Sequence, residues 1–317
     1  MIGAPSRDRG VVVLWTIMAL AATASANTPP APAVIAALAP GPDNRDAREA
    51  VAVGPAGQAY EPDGKGAWVR HHEGGIAAEV VRAARAGAMV IAGVPAGPPF
   101  GWHAGAWSAI HLGLKAQAQL GRGTRATAAV GKLVFTFDGG KPTKLPVEAP
   151  GPVVAVGASS KGIVVETDHG LAKLAGSKWK PIAGAPPHVA VLLDDKWALV
   201  DRGILALDSQ KTTAWPAGFH VATAVAVTTE LVVAAGIGPH GSSAELVTLR
   251  AGKLDREPIA FDHASPIVAV VADKFGRVVV ATRDGQLAIR DHATWTFAKV
   301  SDDLSAAHPG SPPAVSK

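Results

Sequence analysis

From residue 32 onward, one pattern of four short apolar runs recurs along the chain, and this recurrence limits the fold more than any other feature. The last copy reads Pro266-Ile-Val-Ala-Val-Val271, Gly276-Arg-Val-Val-Val-Ala-Thr282, Gly285-Gln-Leu-Ala-Ile-Arg290 and Trp295-Thr-Phe-Ala-Lys-Val300. Between the runs stand Asp, Gly, Lys and His, the composition of turns. Each run is too short for a helix, and its β-branched content argues for a strand. Pro152-Val-Val-Ala-Val156 opens a similar copy that passes through Gly162-Ile-Val-Val165 and Gly170-Leu-Ala-Lys-Leu174 to Trp179. Further copies open at Pro187 and Thr223, and degenerate ones at Pro32, Val80 and Lys115. The starts at Pro152, Pro187 and Thr223 lie 35 and 36 residues apart.

A four-stranded sheet of this size cannot bury both faces alone, whereas a closed ring of such sheets buries each between its neighbours. Seven copies therefore predict an all-β chain, a seven-bladed β-propeller of four-stranded blades in the WD40-like superfamily, spanning residues 32–303. Trp68, Trp107, Trp179, Trp215 and Trp295 mark the fourth run of five copies, with Leu145 and Leu254 in the others. A large apolar plate packed against the next blade explains the Trp; ligand stacking is the other reading. A β-sandwich is the competing architecture, but it does not require sevenfold self-similarity. Residues 77–91, rich in Ala, Glu and Arg, also read as a helix, and 304–317 as a loose tail.

The turns Thr167-Asp-His-Gly-Leu171, Asp201-Arg-Gly-Ile204 and Thr282-Arg-Asp-Gly285 carry a family likeness. They resemble the repeats of two-component-regulator-type propellers, in which a strand ends in Thr and Gly-Leu opens the next one. That resemblance implies the fold and an exported sensor region attached to a signalling kinase; no kinase segment follows here, so signalling is not carried over. Thr136-Phe-Asp-Gly-Gly140, with Thr143, resembles the turn-stabilising Asp-box of sialidase-like propellers. Sialidases attack with a Tyr. The only Tyr is Tyr60, placed on an inner strand of the first copy without clustered arginines. Propeller lactonases use Asn beside acidic metal ligands, and here the only Asn are Asn27 and Asn44. Gly64-Lys65-Gly66 lacks the spacing of a phosphate loop, and Gly-x-Ser-x-Gly is absent.

The first 26 residues read as a secretory signal peptide: Arg7 and Arg9, an apolar run from Val11 to Ala22, then Ala24-Ser25-Ala26 before a short leader at 27–31. Cleavage is expected before Asn27, with an uncleaved anchor as the alternative. The run is shorter than the roughly 20 residues a spanning helix needs, so stable membrane insertion is not expected. With no Cys there is no disulfide framework and no lipid-modified cysteine. The chain is expected in the periplasm or outside the cell, as a monomer. Lys and Arg are scattered singly despite a net charge of +4, which argues against nucleic acid as a partner.

No catalytic residue and no cofactor are assigned. Insertions at 93–105 and 236–243 fall in strand 2–3 connections, on one face, and supply Trp102, His103 and His240 as candidate ligand-binding residues. Solvated surface insertions explain them equally well. His220 and His263 each precede a first strand by three residues, and with Asp262 they form a candidate metal set, His188 lying nearby. Lacking a spacing such as His-x3-His, hydrogen-bonded or solvated histidines are the plainer reading; His71-His72-Glu73 reads as a polar strand end. The expected function is an exported, non-catalytic propeller that binds a protein or small ligand on its loop-rich face. The alternative is a lyase or hydrolase using His220, His263 and Asp262 at the central funnel.

Overall fold

A computed structural model describes residues 34–301, apart from 43–45, 64–66, 104, 114–116, 240 and 242. The signal segment, the leader and the tail lie outside the described residues, as does His240. The described residues hold no α-helix, only strands, turns and a 3-10 turn at Ala47–Glu49.

The strands follow one another as meanders. The first is β1 (Ala37–Ala39), β2 (Val51–Val53), β3 (Gln58–Pro62) and β4 (Trp68–Glu73). Next come β5 (Arg82–Ala86), β6 (Met89–Gly93), β7 (Phe100–His103) and β8 (Ala106–Ala109). A split inner strand, β9 (Gln119–Leu120) and β10 (Arg122–Gly123), leads to β11 (Thr127–Val130), β12 (Leu133–Asp138) and β13 (Lys141–Lys144). Then follow β14 (Val153–Ala158), β15 (Ile163–Thr167), β16 (Gly170–Ala175) and β17 (Lys178–Pro181). β18 (Val191–Leu192), β19 (Trp197–Val200), β20 (Gly203–Ala206) and β21 (Lys211–Ala214) precede β22 (His220–Ala226), β23 (Leu231–Ile237), β24 (Ala244–Arg250) and β25 (Lys253–Ile259). The last are β26 (Ile267–Ala272), β27 (Val278–Thr282), β28 (Gln286–Asp291) and β29 (Thr294–Ser301).

Apolar clusters lie between meanders rather than within them. Val164 and Leu171 pack with Leu192, Ala198 and Leu205 of the next meander, and Val232 and Val247 pack with Leu199 and Ile204. Middle strands such as Val278–Thr282 are therefore buried along their whole length, which accounts for their unbroken apolar runs. Outer strands are polar: Lys141–Lys144 is exposed throughout, and Lys and Pro there discourage further pairing. First strands pack on one another around an axis, β1 against both β5 and β26. The fold is a β-propeller.

Its hydrogen-bonded sheets are not seven. Five are single meanders, β10 being an added parallel bridge on β14, and the sixth has eight strands in the order β1-β2-β3-β4-β29-β28-β27-β26. Val300 and Ser301 pair in parallel with Trp68 and Val69, fusing the outer edges of the first and last meanders. The same seam is packed by Ile35, Leu38, Trp68, Val271 and Leu287. Ionic contacts cross it as well. Asp273 accepts from Arg277 Nε (2.6 Å) and from the Ala47 N–H (3.1 Å), Arg277 reaches Asp46 (2.9 Å), and Arg48 reaches Asp291 (3.1 Å).

Two sequence expectations are corrected. Residues 77–91 are not helical: β5 and β6 pair antiparallel, and alternation of contacts between two neighbouring meanders overrides the helix propensity of Ala, Glu and Arg. Tyr60 lies in the third strand of its meander, not the inner one, and is buried.

Candidate functional site

The first strands surround a cavity of about 110 Å³ on the propeller axis. Its walls come from β1, β5, β10, β22 and β26, with Leu193, and are mostly Ala and Val. Among the described residues, the charged ones lining it are Arg82 and Arg122, with no carboxylate. β10 is set by Gly123, whose φ is +112° and where a Cβ would lie 1.9 Å from the Ala158 carbonyl oxygen. Only glycine allows that approach, which brings Arg122 opposite Gly157 on β14.

Arg82 donates from Nη1 to the Leu120 carbonyl at 2.5 Å. The Nε of Arg122 is buried with no hydrogen-bond partner among the described residues. Asp194, whose Cβ would be the neighbour of a side chain at 123, is directed elsewhere: its Oδ1 accepts from the Lys196 and Trp197 N–H groups at 2.8 Å. Desolvation, then the charge of Arg82, pushes the Arg122 guanidinium down to about 9, so it remains a cation at neutral pH. Burial alone lowers Arg82. Burial also raises the Asp194 carboxyl to about 6, against the pull of its two backbone hydrogen bonds.

A second group of polar contacts lies toward the strand 2–3 turns and the connections between meanders. His263 Nε2 meets Asp284 Oδ2 at 2.5 Å, and Gln286 donates to the His263 carbonyl at 3.2 Å. Burial pushes the Asp284 carboxyl up, but hydrogen bonds from Thr282, Ser265 and His263 outweigh it and hold the group below the usual range. His188 Nδ1 meets the buried Glu166 at 3.0 Å, and Arg256 grips Glu245 with two bonds of 2.6 and 2.7 Å. The Thr of the repeated turn caps it. Thr282 Oγ accepts from the Gln286 N–H at 3.0 Å, and Thr167 Oγ from the His169 N–H at 3.2 Å.

The residues singled out from sequence are dispersed. Trp102 and His103 belong to strand β7, not to the insertion, whose loop is only 94–99. The Trp102 ring lies 6.2 Å from Trp107 and packs on the cluster shared by the first two meanders. His103 is exposed at the end of β7 that leads into the strand 3–4 turn, the face opposite to the 2–3 connections. His220 opens β22 itself, because a bulge between Val221 and Thr223 lets the strand begin earlier. The same bulge recurs at Val153/Ala155 and Ile267/Ala269, and in that register Pro266, not His263, stands where His220 does. His263 is bound to Asp284, while Asp262 is exposed and uses its N–H on Gln286. Among the described residues, no three His, Asp or Glu side chains are arranged to hold a metal ion.

Sequence reasoning passed over Arg82 and Arg122. Their signal is an Arg at an inner strand, in Val80-Val-Arg-Ala-Ala-Arg-Ala86 and Gly121-Arg-Gly-Thr-Arg125, where Pro152–Val156 and Pro266–Val271 carry apolar residues alone.

No family model matches the chain, and no curated protein matches it. Solved structures do. The WD40 beta propeller domain of Doa1 aligns with a TM-score of 0.51 and 14% identity, over 86% of this chain and 94% of that one. YCF48 bound to D1 peptide aligns with a TM-score of 0.51 and 17% identity, over 86% and 95%. At these identities the likeness establishes the propeller fold.

Proposed function

We propose that this chain is a non-catalytic binding scaffold whose partner, a protein or small ligand, docks on the face formed by the strand 2–3 turns and the connections entering each meander. The observation that carries this reading is the carboxylate–histidine pairs at two places on that face: Glu166 with His188, and Asp284 with His263. Each pair ties two chain segments together at the surface, so the face is held in one shape before it meets a partner, and preorganisation favours binding. YCF48, of like fold, was solved with a peptide bound.

Photo-crosslinking side chains at Ala96 and Pro239 on this face, and at Ser177 and Gly252 on the strand 3–4 turns, test it in the native host. Adducts from the first pair alone support the reading; adducts from the second pair alone overturn it.

We propose further that the ring has seven blades, the eight-stranded sheet counting as two. The apolar clusters favour that count, since each is shared by two successive meanders and one joins the last to the first. Export is proposed on the N-terminal pattern alone, with mature protein beginning at Asn27, which N-terminal sequencing checks. Among the described residues no helix is long and apolar enough to cross a membrane.

A further inference from the structure

We propose that the axial cavity binds a small carboxylate, held between the guanidinium groups of Arg82 and Arg122, with a short apolar tail against the Ala and Val walls. This site is separate from the loop-bearing face, and the inference does not rest on the scaffold reading.

Arg82 and Arg122 line one cavity that no carboxylate lines among the described residues, the two are close enough for the charge of one to depress the other, and the Arg122 Nε has no hydrogen-bond partner among those residues. Arg122 is half-buried and is one of the residues that line the cavity. A buried charge without a partner strongly opposes folding. Burial has weakened the acidity barrier of Arg122 only to about 9, so the charge is not lost by deprotonation. Nor can the side chain leave easily, since the Gly123 approach and the parallel bridge to β14 fix its backbone. A site of this kind is relieved by an anion that accepts from both groups, and the fork of a guanidinium matches a carboxylate with two parallel bonds.

The walls choose among anions. Apart from Thr124 and Thr223, the lining offers small apolar side chains such as Ala37, Ala84, Ala224 and Val268. A tetrahedral phosphate would leave oxygens against that surface with no donor, a costly arrangement. A carboxylate exposes two oxygens to the arginines and turns its tail to the walls. The volume of about 110 Å³ has room for on the order of four to eight non-hydrogen atoms. That is roughly the size of a carboxylate of two to six carbons.

The test uses the purified chain, with butyrate, butyramide and inorganic phosphate as probes at constant ionic strength. NMR of protein labelled at arginine nitrogen reports the Nε–H of Arg122 directly. Butyrate is expected to shift that resonance saturably and to raise the melting temperature, while butyramide, which has the same shape without the charge, does neither. Arg122→Met is expected to weaken butyrate by at least ~10-fold, the effect of losing charge-assisted bonds. Without ligand, Arg122→Met should melt no lower than the parent protein, since it removes a buried cation and keeps the aliphatic stem. The Nε–H measurement on the parent protein stands even if that variant fails to fold. An unmoved Nε–H resonance in saturating butyrate, an equal response to butyramide, or binding of phosphate in preference to butyrate would each overturn the assignment. A peptide ending in Ala-Ala with a free carboxylate, compared with its amide, separates a partner's terminus from a free acid. Tighter binding of the free-carboxylate peptide than of butyrate would overturn the free acid as the source.

Discussion

Asp273→Ala tests how the ring is closed. Asp273 is fully buried at the turn after β26, and its two oxygens serve four donors. Oδ1 accepts from the Phe275 and Arg277 N–H groups at 2.8 and 3.1 Å, which are local to the turn. Oδ2 accepts from Arg277 Nε at 2.6 Å and from the Ala47 N–H, 226 residues away, at 3.1 Å. Truncation orphans a buried N–H on the first meander and takes from Arg277, itself only 15% exposed, the nearer of its contacts with Asp273 and Asp46. Breaking a buried pair in this way costs about 3–5 kcal/mol. Asp291→Ala is the matched control. It cuts the Arg48 bridge across the same seam, but those side chains are 49% and 40% exposed, and such pairs contribute about 0–1 kcal/mol. Urea denaturation of both variants, followed by tryptophan fluorescence, gives the two differences. If Asp273→Ala loses less than about 1 kcal/mol, or if Asp291→Ala loses as much, burial is not what makes this seam strong.

Three further outcomes are expected. The folded-state carboxyl of Asp194 sits at about 6 against 3.8 for the free group, so the folded protein holds that proton more tightly. Its contribution is greatest below about pH 4 and is lost as pH rises through 6; Asp194→Asn, which keeps an oxygen for the Lys196 and Trp197 N–H groups, should therefore gain on the order of 2–3 kcal/mol over the parent at pH 7 and little at pH 4, by denaturation at both pH values. Gly123→Ala should lose the native fold or melt far lower, because its Cβ would stand 1.9 Å from the Ala158 oxygen, while Gly131→Ala, in open space, should lose only the roughly 1 kcal/mol of a strained φ; thermal melts distinguish them. Trp68→Ala, at a residue 1% exposed, should cost about 3–5 kcal/mol, and Trp179→Ala, at a half-buried rim position, clearly less; equal costs would mean the outer-strand tryptophans do not differ in packing as their burial implies.

Strand identity was legible in residues such as Val278–Thr282, whose β-branched run between Gly276 and Gly285 has no helical reading. Residues 82–93 were not, because Ala and Arg favour helix locally and only packing between meanders makes them strands. The binding candidates show the same division. A His in a polar turn looks like a ligand in sequence, yet the strand register puts Pro266, three residues past His263, where His220 stands in its own meander, and His263 meets Asp284 instead.

By itself the sequence determined the repeated four-strand unit and the need to stack it, since short amphipathic sheets of this length have no other way to bury two faces. It also determined the polar outer strands and the Thr-capped turns, which are local chemistry. Tertiary structure alone decided how the ring closes and what lies on its axis. The merger of β4 with β29 joins residues 68 and 300, and the axial cavity brings Arg82 and Arg122 together across forty residues. Neither proximity leaves a trace in local periodicity, because each follows from how successive sheets are rotated about a common axis rather than from any one of them.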